Sequence, residues 1–230
     1  MTLIELKDKL KLSDIQVKQF DEYAKFLIEY NKKVNLTAIT DYEEIIEKHF
    51  YDSLIMTLHK DIKGTLVDVG SGAGFPGVVL KIYYPDLKVV LIEPRGKRCD
   101  FLNEIIKKLE LKDIEVINER GEDFSKDNRE KYDYVTARAV SNLNALIEVC
   151  GAMVKVNGYF IALRGKDGIE ELKNAQYAFK TMGFKEEDTY KDYLSDGSMR
   201  ITSFVKKVER TNKKFPRKYS IIKGNPLCQK

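Results

Sequence analysis

The sequence contains no run of roughly 18 to 20 uninterrupted apolar residues, so it offers no membrane span. Its first residues, Met1-Thr2-Leu3-Ile4-Glu5-Leu6-Lys7, alternate charge with apolar side chains where an export signal would be continuously apolar. A cytosolic protein with no membrane partner is expected. Cysteine is scarce: Cys99, Cys150 and Cys228 lie far apart, form no CxxC pair and leave one thiol over from any disulfide. That spacing argues against both a disulfide scaffold and a thiolate metal cluster, and no metal is expected. Asn35-Leu36-Thr37 matches the glycosylation sequon but has no meaning without export. There is no internal repeat, low-complexity tract or Gly/Ser linker, which favours one domain with decorations over separate folding units.

What is present is ample for a core: 230 residues, 43% of them hydrophobic. The net charge of +4 is unevenly placed. Residues 206 to 223 hold eight Lys or Arg against one Glu, a charge of +7 that leaves the rest at −3. Such a segment is either a solvated, disordered terminus or a footprint for a phosphate-rich partner.

Residues 1–60 read as a helical cap, 61–206 as the main domain and 207–230 as a basic tail. Ser13 and Gln16 can form a capping box, followed by Phe20, Tyr23, Ala24, Leu27 and Ile28 at helical spacing. A second helix is predicted from Thr40, with Glu43 as reciprocal partner and Ile45, Ile46, Phe50 and Leu54 turned inward. From Thr65 onward, β-rich runs at 65–69, 88–92, 114–117, 132–136 and 158–163 alternate with amphipathic stretches near 76–83, 97–109, 142–151 and 168–182. That alternation predicts an α/β fold with a mostly parallel sheet. Two further β-prone runs, 184–193 and 199–206, flank Ser195-Asp196-Gly197-Ser198 and predict a terminal antiparallel hairpin.

The segment Leu66-Val67-Asp68-Val69-Gly70-Ser71-Gly72-Ala73-Gly74-Phe75-Pro76-Gly77 runs from a buried strand through a glycine-rich turn into a helix that Pro76 can open. Gly70, Gly72 and Gly74 allow unusual backbone angles and close approach of a ligand to the main chain. Glu93 ends the next strand about twenty residues on, where this fold logic puts a carboxylate on ribose hydroxyls. A nicotinamide dinucleotide could use the same architecture. The spacing GxGxG in place of GxGxxG favours S-adenosylmethionine, which has no pyrophosphate to set against a helix dipole.

Several further motifs stand in order along nearly the whole chain. They are Tyr30-Asn31-Lys32-Lys33-Val34-Asn35-Leu36-Thr37-Ala38, His49 with Asp52-Ser53, the glycine loop, and Gly96-Lys97-Arg98 with Phe101-Leu102. Thr136-Ala137-Arg138-Ala139 with Leu143, Ala162-Leu163-Arg164-Gly165-Lys166 and Phe215-Pro216-Arg217-Lys218 complete the set. In these motifs the chain resembles the RsmG (GidB) family, S-adenosylmethionine-dependent enzymes that methylate N7 of a guanine in small-subunit (16S) ribosomal RNA. The resemblance implies a Rossmann-like class I methyltransferase fold, a seven-stranded sheet and an N-terminal helical cap. It implies that Gly70 and Phe75 contact S-adenosylmethionine, that Gly121 and Glu122 lie near the adenine and that Arg138 closes the site. The chain departs from the family pattern at Glu93, where Asp is common, at Pro94-Arg95, and at Gly121, where Ala is frequent.

Local chemistry is compatible with these roles. Gly121-Glu122 follows the third strand at the ligand-binding edge, although an acid there also suits a helix N-terminus. Arg138 ends the fourth strand, and its planar fork suits the methionine carboxylate or an RNA phosphate, or else a structural acid. Guanine N7 carries a lone pair and no proton, so its methylation needs no general base. The cysteine expected for pyrimidine C5 methylation lacks a positioning motif here, and Thr136-Ala137-Arg138-Ala139 stands where amino-directed enzymes carry Asn-Pro-Pro-Tyr. No catalytic residue is named: His49 reads as a hydrogen-bonded packing residue and His59 as a surface residue. Lys206, Lys207, Arg210, Lys213, Lys214, Arg217 and Lys218 are the candidate contacts to 16S ribosomal RNA or a small-subunit particle, with Phe215 and Tyr219 available to stack on a base. A monomer is the default. The competing readings are a small-molecule methyltransferase, a nicotinamide-dependent reductase, and a ribosome-binding protein that only senses the cofactor.

Overall fold

The computed structural model describes residues 1–138 and 142–228. Seven strands form one sheet: β1 (Thr65–Val69), β2 (Lys88–Ile92), β3 (Ile114–Ile117), β4 (Tyr132–Arg138), β5 (Val154–Arg164), β6 (Phe184–Tyr193) and β7 (Met199–Lys207). Their order is β3-β2-β1-β4-β5-β7-β6, parallel except for β7, which runs antiparallel to both β5 and β6. The chain moves outward from β1 in both directions, so the order reverses between β1 and β4. A crevice therefore opens there at the carboxyl ends of the strands, the place where open α/β sheets bind ligands. The terminal hairpin is present, with Gly197 at φ +78° in its turn.

Helices α5 (Gly77–Tyr83) and α6 (Gly96–Lys108) share one apolar cluster with the N-terminal helices. On the opposite face α8 (Leu143–Gly151) and α9 (Gly168–Met182) share another. The short α7 (Gly121–Asp127) follows β3. Before Thr40 the chain forms two helices where the spacing predicts one. Besides α2 (Asp14–Asn31), capped by the Ser13–Gln16 box, α1 (Leu3–Leu10) is capped by Thr2 and Glu5. The Gln16 amide also donates to the carbonyls of Ile82 and Tyr83 (3.0 and 2.9 Å), so the same side chain caps α2 and docks it on α5.

The next helix begins one residue later than expected. Asp41, not Thr40, is the N-cap of α3 (Tyr42–Ile45), its carboxylate accepting from the Glu44 N–H at 3.0 Å. The run continues through a π-helical segment, Ile46–Tyr51, then α4 (Asp52–Leu54) and a 3-10 turn, Ile55–Leu58. Ile45, Ile46, Phe50 and Leu54 all reach the core, as their spacing predicts.

The basic segment is packed against the domain. Arg217 binds the fully buried Glu148 through Nε and Nη2 (both 2.7 Å), and Phe215 enters the second cluster, as does Ile222 from α10 (Tyr219–Gly224). No described helix is long and apolar enough to cross a membrane, and the described residues hold no group of metal-ligating side chains.

Candidate active site

The glycine turn is built by positive backbone angles. Gly70, Gly72 and Gly74 have φ of +73°, +59° and +92°, values that side chains with a Cβ rarely adopt. At Gly74 the constraint is double, because a Cβ would lie 2.6 Å from both the Tyr23 hydroxyl and Val78 Cγ2. Four side chains hold the turn. Asp68 Oδ2 accepts from the Gly77 N–H (2.9 Å), the Ser71 hydroxyl donates to the Asp68 carbonyl (2.9 Å), and Glu93 Oε2 accepts from the Gly72 N–H (2.9 Å). The fourth is Tyr23 of α2, whose hydroxyl donates to the Ala73 carbonyl while its ring stacks between Phe50 and Phe75 at centroid distances of 5.0 and 5.7 Å. The helical cap is thus part of the loop's support. Burial pushes the Asp68 carboxyl up to about 7, against the opposing pull of the Gly77 hydrogen bond and Arg138.

Beside the turn lies a cleft of about 410 Å³, walled by Gly70, Phe75, Glu93 and Arg138 together with Thr37, His49 and Arg98. This size falls in the ordinary range for small-molecule sites, roughly 300–1,000 Å³. Glu93 is not a solvated strand-end acid: it is 2% exposed, and besides Gly72 it accepts from the Arg95 N–H at 2.9 Å. Each carboxylate oxygen retains a lone pair beyond these bonds, so a ligand hydroxyl can still be received.

Arg138 projects from the end of β4 into the crevice. Its Nη1 donates to Asp52 Oδ2 (3.0 Å), its Nη2 to His49 Nδ1 (3.3 Å), and its guanidinium carbon sits 5.0 Å from the Phe75 ring centroid. A guanidinium only donates, so His49 Nδ1 is the acceptor and the ring proton is on Nε2, which donates to the Thr37 hydroxyl at 2.8 Å. Burial and the adjacent Arg138 push the His49 imidazole down to about 3. His49 is therefore a neutral brace, stacked on Phe75 at 4.4 Å. It is the packing residue its sequence context suggests and also a wall of the site, which that context does not reveal. The π segment that carries His49 leads directly into Asp52, so both reach the same arginine.

His49 and Arg138 also line a second cavity, of about 370 Å³, with Asp52, Arg164 and Arg200. The two cavities are neighbours separated by the Arg138 and His49 side chains.

Gly121 and Glu122 are buried at the start of α7 but do not line the cleft that holds the other four predicted cofactor residues. A Cβ on Gly121 would lie 2.6 Å from Val69 Cγ1, so α7 begins hard against the end of β1. Glu122 sits 4.0 Å from Arg120. Ala139 of the Arg138 motif lies outside the described residues.

The basic candidates divide sharply. Lys207 is fully buried, with Nζ donating to the Gly151 carbonyl (2.7 Å) and to Thr211, which removes it as an RNA contact. Arg217 is committed to Glu148 and Phe215 is core, so neither is the free contact anticipated. Lys206 pairs with Glu187 (3.1 Å) and Arg210 with Glu130 (3.4 Å), whereas Lys213, Lys214 and Lys218 are exposed. His59 is likewise no plain surface residue: it bonds Asp192 at 2.8 Å and stacks on Tyr190 at 4.0 Å.

Comparison with known proteins agrees with this architecture. The structure of M. jannaschii TYW2 in complex with AdoMet superposes with a TM-score of 0.57 at 18% identity, covering 74% of this chain and 79% of that one. A SAM-dependent methyltransferase from Aquifex aeolicus gives 0.52 at 17% identity, over 77% and 97%. These share the class I Rossmann-like fold. The Ribosomal RNA small subunit methyltransferase G of Staphylococcus haemolyticus is 42% identical over 96% of this chain and 93% of its own length. Its namesake in Lachnoclostridium phytofermentans is 46% identical over 95% and 90%. Residues 16–195 match the family GidB, rRNA small subunit methyltransferase G, and with near-full-length relatives above 40% identity the chain belongs to that family.

Proposed function

We propose that this protein transfers a methyl group from S-adenosylmethionine to N7 of a guanine in small-subunit (16S) ribosomal RNA. One observation carries the reading beyond the family name. The glycine-loop cleft and a neighbouring arginine-lined cavity share a wall made by His49 and Arg138, so a cofactor and an anionic polymer can meet there.

The donor set fits S-adenosylmethionine. Gly70 and Gly72 leave the main chain open to a ligand, Glu93 can receive ribose hydroxyls, and Arg138 can pair with a carboxylate. Gly121 and Glu122 remain the proposed neighbours of the adenine, at the same carboxyl edge of the sheet. The bound cofactor supplies an electrophilic methyl group on a sulfonium sulfur. Guanine N7 presents its lone pair without a proton, so the chain has no proton to move. His49, held neutral with its Nδ1 lone pair engaged by Arg138, is consistent with that requirement. The work left to the protein is orientation, worth up to about 7–11 kcal/mol in favourable intramolecular systems. Phe75, Arg138 and the braced turn supply rigid walls for it, and the target base reaches the cleft unpaired or extruded.

The test is incubation with methyl-labelled S-adenosylmethionine and small-subunit ribosomal RNA or particles lacking the modification, followed by nucleoside mass spectrometry. Label is expected in 7-methylguanosine and lost in folded Gly70→Ala and Arg138→Gln proteins. Label in another nucleoside overturns the N7 assignment. Transfer to small molecules alone overturns the RNA assignment.

A further inference from the structure

Arg164, the last residue of β5, lines the second cavity. It is 9% exposed, yet its Nε and Nη2 have no hydrogen-bond partner among the described residues. Glu171 Oε2 forms an ion pair with it, 3.3 Å from Nε but off the hydrogen-bonding direction, so that oxygen too has no hydrogen bond. A buried guanidinium left in this condition carries a desolvation penalty that a suitably shaped acceptor would offset.

The surroundings specify that acceptor. Across the cavity Arg200 donates from Nε to Asp52 Oδ1 at 2.6 Å, while the other Asp52 oxygen holds Arg138 at 3.0 Å. Three guanidinium groups thus face one cavity against the carboxylates of Asp52 and Glu171, Lys48 at the rim being held by Glu44 and Asp196. Helix α9 starts beside it at Gly168, where a Cβ would lie 2.6 Å from Arg164 Cβ, with Glu170 and Glu171 in its first turn. Planar, bidentate donors converging on a concave surface match phosphate oxygens, whereas a neutral nucleobase would leave most of them unsatisfied.

We infer that this cavity is a phosphate subsite in which Arg164 and Arg200 hold one phosphodiester of the RNA, next to the base that enters the cleft past Arg138. Asp52 is the resident counter-ion that positions Arg138 and Arg200 until the phosphate shares them. Assigning the phosphate to RNA rests on the methyl-transfer reading; the arginine cradle rests on the geometry.

The experiment compares full-length wild type with Arg164→Gln, Arg164→Lys and Arg200→Gln. The measurements are binding to transcribed small-subunit ribosomal RNA across a potassium chloride series, cofactor affinity by calorimetry, and kcat and KM for methyl transfer. Arg164→Gln is expected to bind RNA roughly 10- to 100-fold more weakly, with a log–log salt slope shallower by about one phosphate contact. Its KM for RNA should rise while cofactor affinity stays within about twofold. Arg164→Lys should recover the slope and only part of the affinity, since an ammonium lacks the fork. Should Arg164→Gln fail to fold, Arg200→Gln, at a partly exposed position, carries the same slope test. RNA affinity and slope unchanged in the folded variants overturn the subsite even if wild type methylates RNA. Absence of transfer by wild type, with the slope still lost in the variants, overturns the methylation reading and leaves the subsite standing.

Discussion

Tyr23 is the residue on which the N-terminal helices and the glycine turn meet. Burial pushes its phenol well above the usual range, so it remains a hydrogen-bond donor, and it serves the Ala73 carbonyl within the turn. Removing only that hydroxyl leaves a buried carbonyl without a partner, a cost of about 1–3 kcal/mol. Tyr23→Phe is therefore expected to lower the stability measured by urea unfolding by about that amount and to weaken cofactor binding measured by calorimetry. Tyr83→Phe is the control: its hydroxyl makes only a 3.5 Å contact to the Leu10 carbonyl, and it should change neither quantity. An effect of Tyr23→Phe confined to stability would mean that the turn keeps its shape without the bond. No motif near Tyr23 advertises this role, because helical spacing identifies a core residue but cannot say which carbonyl its hydroxyl reaches.

The elements show where sequence patterns carry structural information and where they do not. The three strands Thr65–Val69, Lys88–Ile92 and Ile114–Ile117 were legible to the residue, being β-rich runs closed by glycine, proline or polar breaks. Helix α1 was missed: Thr2 and Glu5 offer a capping box, but the short apolar stripe behind them does not stand out. Thr40 and Asp41 are both competent caps, and which oxygen reaches an N–H is settled by the path of the preceding chain. The π segment has no local signature, and neither does the convergence of His49, Asp52 and Arg138 from elements more than eighty residues apart in sequence. The end of β7 misleads most. Lys206-Lys207 reads as a solvated basic edge, yet Lys207 is buried, and desolvation pushes its ammonium down to about 7. The unfolded chain would titrate near 10.4, so between those values the unfolded state holds more protons and stability rises with pH, by at most about 1.4 kcal/mol per pH unit. Below pH 7 both states are charged and the full penalty applies. Urea unfolding at pH 7 and pH 9 should show this gain in wild type and a smaller one in Lys207→Met. Equal gains would mean that Lys207 is charged when folded throughout that range.

At the scale of the whole molecule, the basic tail and the crevice belong to opposite edges of the sheet, joined by a strap. Because β7 is antiparallel, Lys206 pairs with Tyr159 near the start of the parallel strands, and Thr211 binds the carbonyl of Met182 at that same amino edge. From there the chain climbs α8: Arg217 meets Glu148, and the Leu227 carbonyl accepts from Asn144 in the first turn. A helix of nine residues spans about 13 Å, so the tail returns toward the carboxyl edge where Arg138 stands. An RNA that fills the crevice and also touches Lys213, Lys214 and Lys218 must follow this helix from one edge to the other. Each phosphate so neutralised contributes about 0.7 on a single strand to 0.9 on a duplex to the log–log salt slope of binding. Replacing the three lysines together by alanine is then expected to flatten that slope by up to about 2.1 to 2.7 and to raise KM for RNA, with kcat held near the wild-type value. The three side chains are exposed and outside the apolar clusters, so the fold should be untouched. A slope equal to that of wild type would confine the RNA to the carboxyl edge and leave the tail with one task, closing the second core over Glu148.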